Sequence, residues 1–347
     1  MSSLKLNTRK LARQKSTIGR RRKSYSDQDR LFFSFEDPFW IDQNFKIALS
    51  KAYRRMEGKT QVFYSPKTPH ARTRMTHTAE VKSLASLITR NLGLNHHLAE
   101  AIALGHDIGH VPFGHLGERF LSKKLGKPFR HNAFAVIIAE KLERDGKGLN
   151  LCYETLEGIY RHSGKLTKFD YSYPQEYFAV RIADKASYVF SDYNDAKRMG
   201  YVKESNKENP IEKLGDNQRE RINNVFHAIF EESMKKGKLS FKDSRTAKLF
   251  KNAYDWMFEK VYAEADKEID IMLLERGFEY VRDFDFDPII AFGLLTEKEI
   301  KYFARLNHIN REEVEATGIT EILEGVGDIE VNDFSSFCFK KEDFERY

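Results

Sequence analysis

A chain of 347 residues, 41% of them hydrophobic, is long enough for one large or two modest domains and can bury a sizeable core. Its two cysteines, Cys152 and Cys338, lie far apart in no paired spacing, which argues against a disulfide framework or a thiolate zinc site and fits a reducing cytoplasm. No apolar run approaches the roughly 18–20 residues that span a bilayer, and the N-terminus lacks the apolar stretch of a secretory signal, so no membrane association is expected.

The net charge of +6 is concentrated at the start of the chain. Residues 1–26 hold nine lysines and arginines, from Lys5 to Lys23, and the remainder is slightly acidic. Residues 1–28 read as a basic arm that suits contact with phosphate or single-stranded nucleic acid and equally suits a solvated tail. The first strong periodicity follows at Ala79–Leu92, where Val81, Leu84, Ala85, Ile88 and Leu92 recur at helical spacing before Gly93. Asn95 is the candidate cap of a second helix with Leu98, Ile102, Gly105 and His106 on one face. Further helical patterns cover 132–144, 175–196, 218–236, 245–263, 265–277 and 297–307, whereas QVFY at 61–64 is the one short strand signal. The spacing therefore predicts a mainly α protein. Turn residues at 203–217, among them Asn209, Pro210 and Gly215, predict a loop between a core, 29–202, and a helical C-terminal region, 203–347, packed on it.

The segment GHDIGHVPFGHLGE, 105–118, gathers three histidines and two carboxylates. His106 ends the apolar stripe of the second helix and Asp107 adjoins it, so the pair can offer nitrogen and oxygen to one ion. That donor set suits octahedral manganese, magnesium, iron or nickel better than tetrahedral zinc. Two ligands leave a site incomplete. His77 opens the preceding helix, and Asp184 lies on a polar stripe (Arg181, Asp184, Tyr188, Asp192) of the otherwise apolar 175–196 helix. A carboxylate there is costly unless it is paired or binds something. The bland alternatives are a capping or core role for His77 and a simple ion pair of Asp184 with Arg181 or Lys185.

Seven motifs in order, DRLFFS (29–34), AYRRMEGKTQVF (52–63), RTRMTHTAEV (72–81), LAEAIALGHDIGHVPFGHLGE (98–118), FRHNAFAV (129–136), TLEGIYRHSG (155–164) and VRIADKASYVFSDYNDA (180–196), resemble the HD-domain deoxynucleoside triphosphate triphosphohydrolases. That family includes bacterial dGTPases and the vertebrate sterile-alpha-motif/HD dNTPase. The resemblance implies an all-α HD fold with a helical C-terminal extension, and an enzyme that cleaves a dNTP, dGTP or dNTPs generally, to deoxynucleoside and intact triphosphate. By matching positions it implies His77, His106, Asp107 and Asp184 as ligands of a divalent metal ion. It implies His115 with Glu118 as the proton-handling pair and His110 and His131 as further catalytic histidines. Arg74 and Lys185 would bind phosphate, Gln61 and Asp192 the sugar 3′-hydroxyl, and Tyr188 the deoxyribose ring. Arg54 and Arg55 are either structural or phosphate-facing, with Arg54 the candidate for substrate. The resemblance further implies a homo-oligomer, tetramer or hexamer, and a regulatory nucleotide.

The sequence departs from the family at 36–49, an insertion expected to reshape a pocket wall or an oligomer contact, and at Asp184-Lys185, where many bacterial members carry a second aspartate. Past residue 205 the resemblance fades. Two other readings stand beside it: an HD phosphohydrolase acting on another nucleotide, and a nucleotide-sensing or single-stranded nucleic-acid-binding protein.

Overall fold

In this computed structural model the described residues are 20–22, 37–63, 70–202, 209–265, 271–282, 286–305, 318–323, 334–337, 340 and 344–346. Most are helical, and the helix starts follow from local capping chemistry. Asp37 accepts the amides of Phe39 and Trp40 to open α1 (Pro38–Ile41), which has proline at its first position. A π turn, Asp42–Ile47, leads to α2 (Lys51–Arg55), capped by Ser50. Thr73 and Thr76 form a capping box at the start of α3 (Arg74–Leu92), and Asn95 caps α4 (His96–Gly105). The chain continues through α5 (Gly114–Leu125), α6 (His131–Ile137, extended by a π turn to Leu142), α7 (Tyr153–Arg161) and α8 (Gln175–Met199).

The frame is the trio α3, α4 and α8, which pack on one another. Val81, Ala85, Ile88 and Leu92 of α3 meet Leu98, Ala99 and Ile102 of α4 and Ile182, Ala183, Ala186 and Val189 of α8, all of them fully buried. Each large aliphatic side chain buried here contributes roughly 1.5–3 kcal/mol, so the apolar periodicity outweighs any local propensity.

The C-terminal region adds α9 (Gln218–Lys236), α10 (Arg245–Met257, running through a π turn to Ala265), α11 (Ile271–Arg282), α12 (Pro288–Leu294), α13 (Glu297–Phe303) and α14 (Thr320–Leu323). α10 packs on α8, with the rings of Phe190 and Phe250 5.6 Å apart, and α12 packs on α5 through Phe292 and Phe120. A two-stranded ribbon pairs β1 (Arg20–Arg22) with β2 (Phe344–Arg346), antiparallel, Arg21 opposite Glu345. Among the described residues no helix is long and apolar enough to cross a membrane.

The all-α class holds. Of the strand expected at 61–64, the described part, Gln61–Phe63, is irregular; among the described residues only an isolated bridge, Thr60 to Thr73, lies beside it, and no neighbouring strand offers a ladder. The helix read at 265–277 is found at Ile271–Arg282. Of the basic arm, only 20–22 fall within the described residues; DRLFFS, residues 203–208 and Cys338 lie outside them. The insertion at 36–49 becomes α1 and its π turn. There Asp42 Oδ2 accepts from Cys152 N at 2.9 Å and Thr155 Oγ1 at 2.7 Å, which fastens the insertion to the start of α7.

Glu232 ends the packing face of α9 and gathers the loop that follows. It accepts from Ser240 Oγ at 2.6 Å, and from the amides of Lys242, Asp243 and Ser244 at 3.0, 3.1 and 3.2 Å. Burial would raise its pKa, but these donors hold the carboxyl down at about 2. A depressed carboxylate stabilises the fold above its unfolded pKa, and the contribution disappears as pH falls through the folded value. Glu232→Gln is therefore expected to lose about 2 kcal/mol at pH 7, and the gap from wild type in urea melts should narrow progressively below about pH 4.5.

Candidate active site and metal centre

His106 caps the C-terminal end of α4. Its Nδ1–H donates to Ala103 O at 2.7 Å, which leaves Nε2 as a bare lone pair. That atom is buried, has no hydrogen-bond partner, and faces Asp107 Oδ1 at 3.3 Å and Asp184 Oδ1 at 3.7 Å. His77, in the first turn of α3, brings its Nε2 to 3.1 Å from Asp184 Oδ1. Behind it, Ser187 Oγ donates to Glu80 Oε2 at 2.9 Å and so accepts from His77 Nδ1 at 3.3 Å, which turns the His77 Nε2 lone pair toward Asp184 as well. Asp184 pairs with neither Arg181 nor Lys185. The Arg181 guanidinium donates to the carbonyls of His162 at 3.1 Å and Arg161 at 2.7 Å, and the Lys185 ammonium lies over the Tyr254 ring at 4.9 Å.

Two imidazole lone pairs and two carboxylates thus converge in a buried place, an arrangement that repels itself unless positive charge enters. The ligand atoms of His77, His106 and Asp107 lie within 4.8 Å of one another. The demand for a cation is visible in the acid–base balance. Burial alone would lower the His106 pKa, yet the Asp107 and Asp184 carboxylates lift it to about 9. Asp107 and Asp184 are held well below the usual carboxylate range despite their burial, Asp107 by His106 and Arg74, Asp184 by His106 and His77. The mixed N/O donors fit a divalent ion, and Ser187, Glu80 and Ala103 O supply the outer hydrogen bonds that orient the histidines. Arg74 closes the inner side, donating to Asp107 Oδ2 at 2.9 Å and to Gln61 O at 3.2 Å.

A second group of histidines lies alongside. Glu118 of α5 accepts at Oε2 from His115 Nδ1 at 2.9 Å and at Oε1 meets both the amide and Nδ1 of His131 at 2.6 Å. His131 stacks on His110, ring centroids 3.9 Å apart, and its Nε2 is 3.3 Å from Nε2 of His162. His162 was not singled out from the sequence. It repeats the device of His106: it follows the last turn of α7 and its Nδ1–H donates to Ile159 O at 2.6 Å. The legible signal was a histidine closing an apolar helix face in TLEGIYRHSG. Burial, reinforced by cationic neighbours, keeps His110 well below its ordinary pKa and His162 down at about 3, so both rings are neutral. His115, 60% exposed, is the accessible member.

Both groups open on one cavity of about 860 Å³. Gln61, Arg74, Lys185, Tyr188 and Asp192 line it, as do His110, His115 and His131. Asp192 is held by Arg72 and by Tyr262, whose hydroxyl donates to Asp192 Oδ2 at 2.9 Å. Sequence reasoning missed Tyr254, Phe258, Tyr262 and Lys251, the wall supplied by α10 and its extension, and Arg119 and Lys165 on the nearer elements. Helical periodicity marked α10 without saying which face meets the cavity. Arg54 stands apart: it is exposed, donates to Leu49 O at 3.0 Å and is not among the lining residues. Arg55 is tied to Leu294 O and Glu299, and no described residue of the 36–49 insertion lines the cavity.

An all-helical frame that brings His77, His106, Asp107 and Asp184 together defines an HD-domain protein, and residues 74–189 match the HD domain family. The chain is 41% identical over 248 residues to a deoxyguanosinetriphosphate triphosphohydrolase-like protein of Caldanaerobacter subterraneus, covering 69% of this chain and 70% of that one. Relatives with the same description in Clostridium perfringens and Paracoccus denitrificans are 38% and 32% identical, with 76% and 84% of this chain and 78% and 80% of theirs covered. The chain belongs to the deoxyguanosinetriphosphate triphosphohydrolase-like family of HD-domain hydrolases.

Asp184→Ala is expected to abolish divalent-metal binding, measured by elemental analysis after dialysis. Ser187→Ala, which removes the acceptor behind His77 together with its bond to Glu80, should weaken metal affinity by about tenfold or more with unchanged circular dichroism.

Proposed function

We propose that this protein hydrolyses deoxynucleoside triphosphates, dGTP or dNTPs generally, to deoxynucleoside and intact triphosphate. The observation that carries the reading is one cavity lined by His77, Asp107 and Asp184 of the metal cluster, by His115 with Glu118 behind it, and by Gln61, Tyr188 and Asp192. His77, His106, Asp107 and Asp184 would hold a divalent ion, which would supply Lewis acidity to the phosphate chemistry. Arg74, Lys185, Arg119, Lys165 and Lys251 line the same space and offset the charge of a triphosphate. In the reaction, water adds to the α-phosphorus, the bond from that phosphorus to the 5′-oxygen breaks, and the 5′-oxygen leaves with a proton. Glu118 fixes Nδ1 of His115, so Nε2 is the atom that exchanges that proton at the cavity. Gln61 and Asp192 address the 3′-hydroxyl. Tyr188, its ring 6.0 Å from that of Tyr254, would pack against the deoxyribose, where a ribose 2′-hydroxyl would clash.

Incubation with manganese or magnesium and each dNTP and NTP should release inorganic triphosphate from dNTPs alone. Release of pyrophosphate or orthophosphate in its place would overturn the reading. His115→Ala should keep its metal and lose about 10²-fold or more in kcat.

A further inference from the structure

The turn at 110–114 carries His110 and launches α5 with His115, and its backbone is unusual. Phe113 at φ 61° and Gly114 at φ 54° are both left-handed, a conformation that a bulky L residue adopts only when its surroundings impose it. Two buried charges from distant parts of the chain grip this turn. Lys59 Nζ, on a residue 3% exposed, donates to His110 O at 2.6 Å and to Gly293 O at 2.9 Å. Glu297, the first residue of α13 and 2% exposed, accepts from Phe113 N at 2.9 Å through Oε1 and from Thr60 N at 3.1 Å through Oε2.

Such burial is costly. It draws the Lys59 pKa down to about 7 and pushes that of Glu297 up, each group partly restored by the charge of the other. Apolar residues would pack this place at less expense in desolvation. The backbones are also fitted for the purpose. A Cβ on Gly58 would fall 2.6 Å from Thr296 Cγ2, and one on Gly293 2.7 Å from Phe134 Cε1, so neither corner could approach with a larger residue. Arg55 adds a second tie, donating to Leu294 O at 2.7 Å and pairing with Glu299 at 2.6 Å.

We propose that Lys59 and Glu297 are positioning residues: together they hold the 110–114 turn so that His110 and His115 face the cavity, which makes the 293–299 corner part of the catalytic apparatus. The proposal rests on the hydrolytic reading above. The two residues touch neither the cluster of four nor the cavity, and act through the backbone they hold.

The test uses the full-length protein as Glu297→Gln, Lys59→Met and the double variant, assayed well below their melting temperatures. Glu297→Gln can still accept one of the two amides but not both with a full charge. It should lower kcat by about 10- to 100-fold, the scale of a small misplacement of a catalytic group, with KM within about threefold of wild type. Bound metal should stay at the wild-type level, and amide exchange at Phe113 should accelerate. Lys59→Met should be slow and also less stable, because it strands a buried carboxylate. The double variant leaves no unpaired charge, although the carbonyls of His110 and Gly293 stay without their donor, and should regain part of that stability while remaining slow. Recovery of kcat along with stability in the double variant would reduce the pair to a structural role and overturn the proposal, as would wild-type kcat in folded Glu297→Gln. If the wild-type protein releases triphosphate from no dNTP, the hydrolytic reading falls. The grip on the turn is then upheld by faster Phe113 exchange in Glu297→Gln and overturned by unchanged exchange.

Discussion

Everything in this molecule depends on keeping two carboxylates and two imidazole lone pairs face to face out of water. Desolvating such groups costs several kcal/mol for each charge, so the cluster exists only where a rigid frame forces it and neighbours offset it. The frame is the α3–α4–α8 trio, whose aliphatic faces interlock so that the first turn of α3, the end of α4 and the middle of α8 meet. The compensation is layered. Arg74 takes one oxygen of Asp107, Ser187 takes the outer nitrogen of His77, and Glu80 in turn draws Ser187, Ser191 and Arg72 into a part-buried chain. Remove the frame and the donors separate; remove the donors and the polar stripe on α8 has no reason to be buried.

Histidines only a few ångströms apart acquire different chemistry from position alone. His106 and His162 occupy equivalent sites, each just past the end of a helix and each donating Nδ1–H to a carbonyl three residues back. Two carboxylates face the first and raise its pKa, whereas rings face the second and burial lowers it. Neutral His110 and His162 flank His131 and limit how much positive charge accumulates beside it. The carboxylate of Glu118 ties this buried group to exposed His115. One exposed ring is thereby joined through a single carboxylate to a stack of buried ones.

Legibility in the sequence followed the type of interaction. Apolar periodicity revealed α3, α4 and α8 because a buried stripe must repeat every three to four residues, and a carboxylate on such a stripe exposed Asp184 as anomalous. His106-Asp107 was legible as a contiguous pair at the end of a helix. The roles of Gln61, Arg74 and Tyr188 rested on resemblance, since nothing in their local spacing separates a cavity residue from a packed one. His162 passed unnoticed because a single histidine after an amphipathic helix is ambiguous until its partner, His131, 31 residues away, is seen in space. Phe113 was hidden for a different reason. Sequence marks glycine as the residue for left-handed backbone, and here a phenylalanine is forced into it by groups from distant parts of the chain.

The same logic explains why the C-terminal third reads from sequence as mere helices yet touches the site at several points. Tyr262 reaches Asp192, Tyr254 lies under Lys185, and Glu297 holds the amide of Phe113. Each contact joins residues 69 to 184 positions apart through a single atom pair, which leaves no periodic trace for a sequence reading to detect. The contact of Glu297 with Phe113 is fully buried and the other two partly so, and a buried polar contact constrains both partners more tightly than an apolar one, because losing either side strands the other without water. The region therefore influences the chemistry through a few fixed points. Substitutions along the outer faces of α9 and α11 leave those points untouched, whereas a change at Thr296, packed against Gly58, acts on the turn that presents His115 without approaching it.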